Sequence, residues 1–179
     1  MTVVLYGSKY GSTKQYAEWI AEELNADLFD VNDANLQNIK NYDTIIYGGA
    51  VYAGGITGIN FIVKNYDQLK NAKLVIFTCG IADPSIDINK ENLIKNVLKK
   101  FPKASADEFA LFHLRGAMDY SKMCFLHKTM MSALVKKIKN KSSLTDEERC
   151  ILDTYGKTVD FVDKSTIWPI IRYAKENPE

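Results

Sequence analysis

Residues 7–13 read GSKYGST, with glycine at both ends of the first five positions and hydroxyls at Ser8, Ser12 and Thr13, directly before the run KQYAEWIAEEL. Glycine lets a backbone approach a ligand closely. Hydroxyls donate hydrogen bonds, and the N–H groups that open a helix favour an anion. The chemistry this permits is phosphate binding. Neither the Walker A spacing G-x-x-x-x-G-K-[ST] nor the dinucleotide spacing G-x-G-x-x-G is present. Taken alone, the stretch also suits a strand-to-helix turn with simple capping. Two other loops share its character. GGAVYAGG (Gly48–Gly55) sets Tyr52 among glycines, where its ring can lie against a planar ligand or cover the loop. TCGIADP (Thr78–Pro84) can offer its backbone to the polar edge of the same ligand, with Asp83 facing that edge or serving as a turn residue.

The elements that carry these loops follow from periodicity. Thr2–Tyr6, Asp43–Gly48 and Lys73–Cys79 are short apolar runs and read as buried strands. Asp27–Val31 alternates polar and apolar, as a more exposed strand does, and Glu108–Leu114 supplies a fifth strand. Between them, Tyr16, Ile20 and Leu24 recur every four residues up to Asn25. Ser12 or Thr13 can cap that helix. Residues 33–39 suit a short helical turn, while residues 57–69 and 89–101 read as amphipathic helices. Strands alternating with helices predict an α/β fold: a doubly wound, five-stranded parallel sheet in the order 2-1-3-4-5, covered on both faces. All three loops then leave the carboxyl ends of neighbouring strands at the switch point, where such sheets bind ligands. Beyond residue 116 the pattern is helical. Asp119–Lys141 forms one helix, and residues 146–163 a last one, with Thr145-x-x-Glu148 as a capping box. One domain spanning residues 1–179 is expected, with a helical extension over about 116–145.

Composition narrows the classes. Net charge is +1, which argues for neither nucleic acid nor an acidic tail. No apolar run is long enough to span a bilayer, and MTVVLYGS lacks the basic and apolar regions of a signal peptide. Cys79, Cys124 and Cys150 are widely spaced, as reduced thiols of a cytoplasmic protein would be. His113 and His127 stand too far apart to suggest a metal site, and no G-x-S-x-G elbow supports a serine hydrolase. A signalling receiver is disfavoured because no acidic cluster follows the first strand.

GSKYGST with its helix resembles the phosphate loop of flavodoxins, whose T-x-T-G-x-T pattern falls here on Ser8, Tyr10, Gly11 and Thr13. Tyr10 and Ser8 replace two threonines, and Ser12 adds a hydroxyl. The resemblance implies FMN. Its phosphate would be held by Ser8, Lys9, Tyr10, Gly11, Ser12 and Thr13. Its ring would lie near Ala50, Val51, Tyr52, Ala53 and Gly54, and near Thr78, Cys79, Gly80 and Asp83. YDTIIYGGAVYAGGITGINFI, FHLRGAMDYSKM and the basic helix after them are similar to the group containing the flavodoxin-type, menaquinone-dependent protoporphyrinogen oxidase. In that group a helical segment follows the last strand, as residues 116–145 do here. Ordinary flavodoxins are markedly acidic, and this chain is not.

The implied function is FMN-dependent oxidoreduction, with protoporphyrinogen oxidation by a quinone as one case and a one-electron carrier as another. The flavin carries the electrons, so no catalytic side chain and no metal ligand is named. A flavodoxin-fold interaction module without cofactor is the other class. Residues 122–141 hold Lys122, Lys128, Lys136, Lys137, Lys139 and Lys141, no acid, and several apolar residues. That helix suits packing on the sheet, a lipophilic substrate site, or peripheral contact with the inner face of a membrane. The implied partners are a redox protein or a quinone, with a homodimer contact as a further option.

Overall fold

The computed structural model describes residues 1–52, 55–102, 104–105 and 107–176, with the backbone alone for residues 146 and 147. Thr2–Gly7 (β1) holds Val3, Val4 and Leu5 without solvent exposure. Successive side chains on a strand point to opposite faces, so an unbroken apolar run must be covered on both. Val3 and Leu5 join one core and Val4 joins another. After the helix Ser12–Leu24 (α1), Asp27–Asp30 (β2) returns beside β1. The short helix Leu36–Ile39 (α2) leads to Thr44–Tyr52 (β3), which pairs with the other side of β1. Gly55–Ile56 (β4) folds back antiparallel on the end of β3 and opens the way to Ile59–Leu69 (α3). Lys73–Gly80 (β5), Asp87–Leu98 (α4) and Ala110–Arg115 (β6) complete the sheet. Its main path is β2-β1-β3-β5-β6, every pair parallel. Counting only the parallel strands, this is the expected doubly wound order.

Ile59, Ile62 and Val97 of α3 and α4 pack on one face against Val3, Leu5, Ile45 and Tyr47. On the other face Tyr16 and Ile20 of α1 cover Val4, Ile46 and Phe77. Each fully buried side chain of this kind contributes about 1.5–3 kcal/mol. Asn25 ends α1 in the left-handed conformation, φ 48°, as expected.

The last third departs from the helical pattern in two places. Ala117–Asp119 (β7) is a strand, and the basic helix starts only at Phe125, running to Lys139 (α5). Asp146–Thr154 (α6) carries the expected capping box between Thr145 and Glu148, but it stops well short of residue 163. Gly156 takes φ 76°, a turn that breaks the helical repeat, and Thr158–Asp160 (β8) pairs antiparallel with β7. The β-branched Thr158 and Val159 suit that ladder better than a helix. The cover for the sheet's second face comes instead from a 3₁₀ turn, Lys164–Ile167, and Trp168–Lys175 (α7). Ile167, Ile170 and Ile171 are buried beside Val4 and Phe77. Tyr16 pins this return: its hydroxyl donates to the Arg115 carbonyl at 2.8 Å and accepts from the Asp163 amide at 2.9 Å.

The end of β1 has no room for a side chain. A Cβ on Gly7 would lie 2.1 Å from the Thr57 carbonyl oxygen, where the chain enters α3. Gly7→Ala is expected to cost about 1–3 kcal/mol of stability, seen as a lower urea midpoint at unchanged slope.

Candidate functional site

At the amino end of α1, Gly11 is the cap residue with φ 100°, and among the described residues no side chain caps the amides of the first helical turn. Ser12 and Thr13, the expected caps, do not cap it: the cap residue is Gly11. Ser12 Oγ instead accepts the Ala117 amide at 2.9 Å, tying the loop to β7. Thr13 is buried. Ser8 Oγ accepts the Gly11 amide at 3.2 Å, which closes the loop into a turn. A helix start leaves its first amides without backbone partners. Here they are left to a ligand or to water.

This loop borders a cavity of about 790 Å³ at the carboxyl edge of the sheet. Of the sequence-predicted residues, Ser8, Lys9, Tyr10, Ser12, Thr13, Ala50, Val51, Tyr52, Thr78, Cys79 and Gly80 all line it. Three loops far apart in sequence therefore meet at one place. Gly11 is not in the wall but forms the helix cap beside it. Asp83 is not in the wall either. Its carboxylate accepts from the Ser85 amide and hydroxyl and from Arg115 Nη1 at 3.1 Å. The two Ser85 bonds, then Arg115, hold that carboxyl below its ordinary range. Asp83 thus makes the bonds of a turn residue. Arg115 lies 3.7 Å over the Phe161 ring, so the pair braces the third loop against the segment after β8. Ala53 and Gly54 lie outside the described residues.

The opposite wall comes from residues the loop motifs do not contain. Met130, Met131, Leu134 and Ile138 of α5 face the cavity, as do Cys150, Ile151 and Thr154 of α6. His127, one turn before Met130 and Met131, is buried and docks on two of the loops. Lys9 Nζ donates to its Nε2 at 2.8 Å, and Tyr10 Oη bonds its Nδ1. An ammonium group has no lone pair, so Nε2 must be the acceptor and the ring must be neutral with its proton on Nδ1. Burial, then Lys9, keeps the imidazole pKa below its ordinary value. The ring also lies on Tyr52, with centroids 4.0 Å apart and planes 31° apart. The planar partner of Tyr52 in this structure is therefore His127. Burial pushes the Tyr52 phenol up to about 12. The sole hint of His127 in the sequence is its place on the apolar stripe of α5.

The thiols differ sharply. Burial pushes Cys79 up to about 12, leaving it an inert packing group. Cys124, exposed at the start of α5, is held below the usual thiol range by the His127 amide, with Tyr10 and Lys9 adding to it. Among the described residues no cluster could hold a metal ion, and no helix is long and apolar enough to cross a membrane. On the outer side of α5, Phe125 and Leu126 are exposed beside Lys128.

A doubly wound parallel sheet whose switch-point loops open on an apolar cavity, with a free helix amino end at one wall, is the frame of a nucleotide- or flavin-binding α/β protein. A flavodoxin domain profile matches residues 3–146, and the chain belongs to that family. A flavodoxin of Maridesulfovibrio salexigens is 27% identical over 111 residues, 55% of this chain and 76% of that protein. Two solved structures are similar at lower identity. A Lactobacillus acidophilus flavoprotein in complex with FMN is 22% identical, with TM-score 0.43 over 64% of this chain and 91% of that one. A Bacillus subtilis Trp repressor binding protein is 15% identical, with TM-score 0.49 over 80% of this chain and all (100%) of that one.

The clamp at His127 has a pH signature. Its pKa is lowered from 6.5, so the clamp is at full strength above that pH and is lost as pH falls through the depressed value. Protonation would set two cations, His127 and Lys9, against each other. Hydrogen exchange in the first turns of α5, corrected for intrinsic rate, is expected to quicken over that fall. His127→Ala should remove the pH dependence and raise exchange at neutral pH about tenfold or more, from loss of a bond worth roughly 1.5–3 kcal/mol.

Proposed function

We propose that the chain is an FMN-dependent electron-transfer protein whose flavin occupies the cavity at the carboxyl edge of the sheet. FMN is the cofactor. The observation that carries this reading is the uncapped amino end of α1 at the cavity wall. There a Cβ on Gly11 would meet nothing within 4 Å, and among the described residues no side chain caps the helix start. A phosphate supplies the acceptors those amides lack. Ser8, Lys9, Tyr10, Ser12 and Thr13 stand around that position, and Ala50, Val51, Thr78, Cys79 and Gly80 line the space for the ring system. The residues fit the phosphate end well. At the ring end, the Tyr52 face is covered by His127, so Tyr52 serves the site from its place in the wall or once α5 shifts. When bound, FMN supplies one- and two-electron transfer. The chain would bind and orient it, with α5 and α6 supplying an apolar wall.

A finer reading is oxidation of a lipophilic ring substrate, with protoporphyrinogen and a quinone acceptor as the case the sequence resemblance suggests. What supports it is the helical roof. A carrier that serves protein partners works best with its cofactor edge near the surface. Here Met130, Met131, Leu134 and Ile138 line the cavity, which suits a small molecule. Phe125 and Leu126, exposed beside Lys128, would let the same helix rest on an anionic membrane.

Titration of the purified chain with FMN tests the reading. FMN is expected to bind with a shifted absorbance band near about 450 nm. Riboflavin, which lacks the phosphate, should bind at least about tenfold more weakly. No uptake of FMN would overturn the assignment. Anaerobic reduction then separates the finer readings. Catalytic consumption of a porphyrinogen with rapid reoxidation by a quinone favours the oxidase, and simple stoichiometric reduction favours the carrier.

A further inference from the structure

Three side chains that line the cavity are engaged by one residue outside the loop motifs. Lys9 and Tyr10 of the first loop bond the two ring nitrogens of His127, and Tyr52 of the second loop lies against its ring. The Tyr52 hydroxyl also donates to the His127 carbonyl at 3.4 Å. Lys9 Nζ stands 5.9 Å from the centre of the Tyr52 ring, so the three loop residues form one cluster around the imidazole. Cys124, just before α5, completes the titratable groups around it, with its sulfur next to the His127 amide. A flavin mononucleotide would compete for these same contacts. A phosphate draws an ammonium more strongly than a neutral imidazole does, because both partners are then charged. A flat ring gains from an aromatic face as an imidazole does. Each end of such a ligand therefore opposes the same side chain. Once Lys9 turns to the phosphate, Nε2 becomes a buried acceptor without a partner, which favours release of the whole ring.

We propose that His127 is a latch on the site: it holds the first and second loops to α5, and FMN binds by displacing it, which frees the start of α5. The proposal rests on the reading of the cavity as the FMN site, yet it can fail while that reading stands. Affinity for the flavin is set in part by the cost of opening the latch, because only the open form is competent. The latch is also sensitive to acid. The latched ring is neutral, and burial, then Lys9, holds its pKa below the ordinary 6.5, to which the displaced ring returns. The latch is at full strength above that ordinary value and weakens as pH falls from there through the depressed one. Acid therefore favours the open, flavin-binding form.

The experiment titrates the full chain and two variants with FMN and with riboflavin, which carries no phosphate to titrate. Binding is read from flavin fluorescence, and the ¹⁵N-labelled imidazoles are followed by NMR. His127→Ala is expected to bind FMN about tenfold more tightly than the unaltered chain at neutral pH. Riboflavin affinity of the unaltered chain should rise about threefold or more from about pH 7.5 to about pH 5.5. It should stay level in His127→Ala and in His127→Gln, whose amide accepts from Lys9 but does not titrate. On saturation with FMN, the His127 resonances of the unaltered chain should move to those of an exposed imidazole and titrate near 6.5. Those resonances decide the matter even where a variant fails to fold. Resonances left unmoved by FMN, or equal or weaker FMN binding by a folded His127→Ala, overturn the latch and leave FMN as the cofactor. Uptake of FMN by neither protein overturns the cofactor reading and the latch together.

Discussion

Val3, Val4, Leu5, Ile45, Ile46, Val75 and Ile76 have no solvent exposure. Strands apolar at successive positions can be buried only if helices cover both faces of their sheet, and that requirement organises the rest of the molecule. Parallel pairing then sends every crossover back to the same edge and leaves the loops after β1, β3 and β5 side by side. Close packing there demands glycine: beside Gly7, Gly48 and Gly49, a Cβ would come within 2.1 to 2.4 Å of Thr57, Phe77 and Ile56. The site is a product of this packing, since residues 8, 52 and 79 have no reason to meet except through the register of three strands.

The helical third then works on that edge. Its hold on the loops is polar where its wall is apolar. Lys9, which has only protons to offer, meets an imidazole that must accept, and Tyr52 lies flat on the same ring. One side chain of α5 thus joins the first loop to the second, while Asp83 and Arg115 tie the third loop to the end of β6. Two histidines of this edge stand in opposite states of satisfaction. His127 is bonded at both nitrogens, and His113 at one. The first holds α5 to two of the loops, and the second is bonded to Thr78 on the neighbouring strand.

Much of this was legible beforehand. Thr2–Tyr6, Asp43–Gly48 and Lys73–Cys79 read as buried strands because their apolar runs are too short for helices and bounded by glycine. The structure extends β3 to Tyr52, since the backbone after Gly48 continues its ladder into the β4 return. Residues 146–163 read as one helix because Cys150, Leu152, Tyr155, Val159 and Val162 keep a near-helical spacing. Local spacing carries no information about Gly156 turning left-handed or about β7 waiting to pair with Thr158–Asp160. Trp168–Lys175 has no counterpart among the elements read from periodicity, yet Ile170 and Ile171 place it in the core.

By itself the sequence determined the parallel sheet, its order and the three loops at its edge, because strand burial and glycine placement are local properties written in residue order. Only the tertiary structure decided which partner each loop residue takes. Ser12 bonds β7 rather than capping α1, Asp83 bonds Ser85 and Arg115 rather than facing a ligand, and Tyr52 stacks on His127. These choices depend on where α5, β7 and β6 arrive in space, over separations of up to more than a hundred residues. Hydrogen-bond geometry falls off within a few tenths of an ångström, so it is settled by docking and not by sequence spacing.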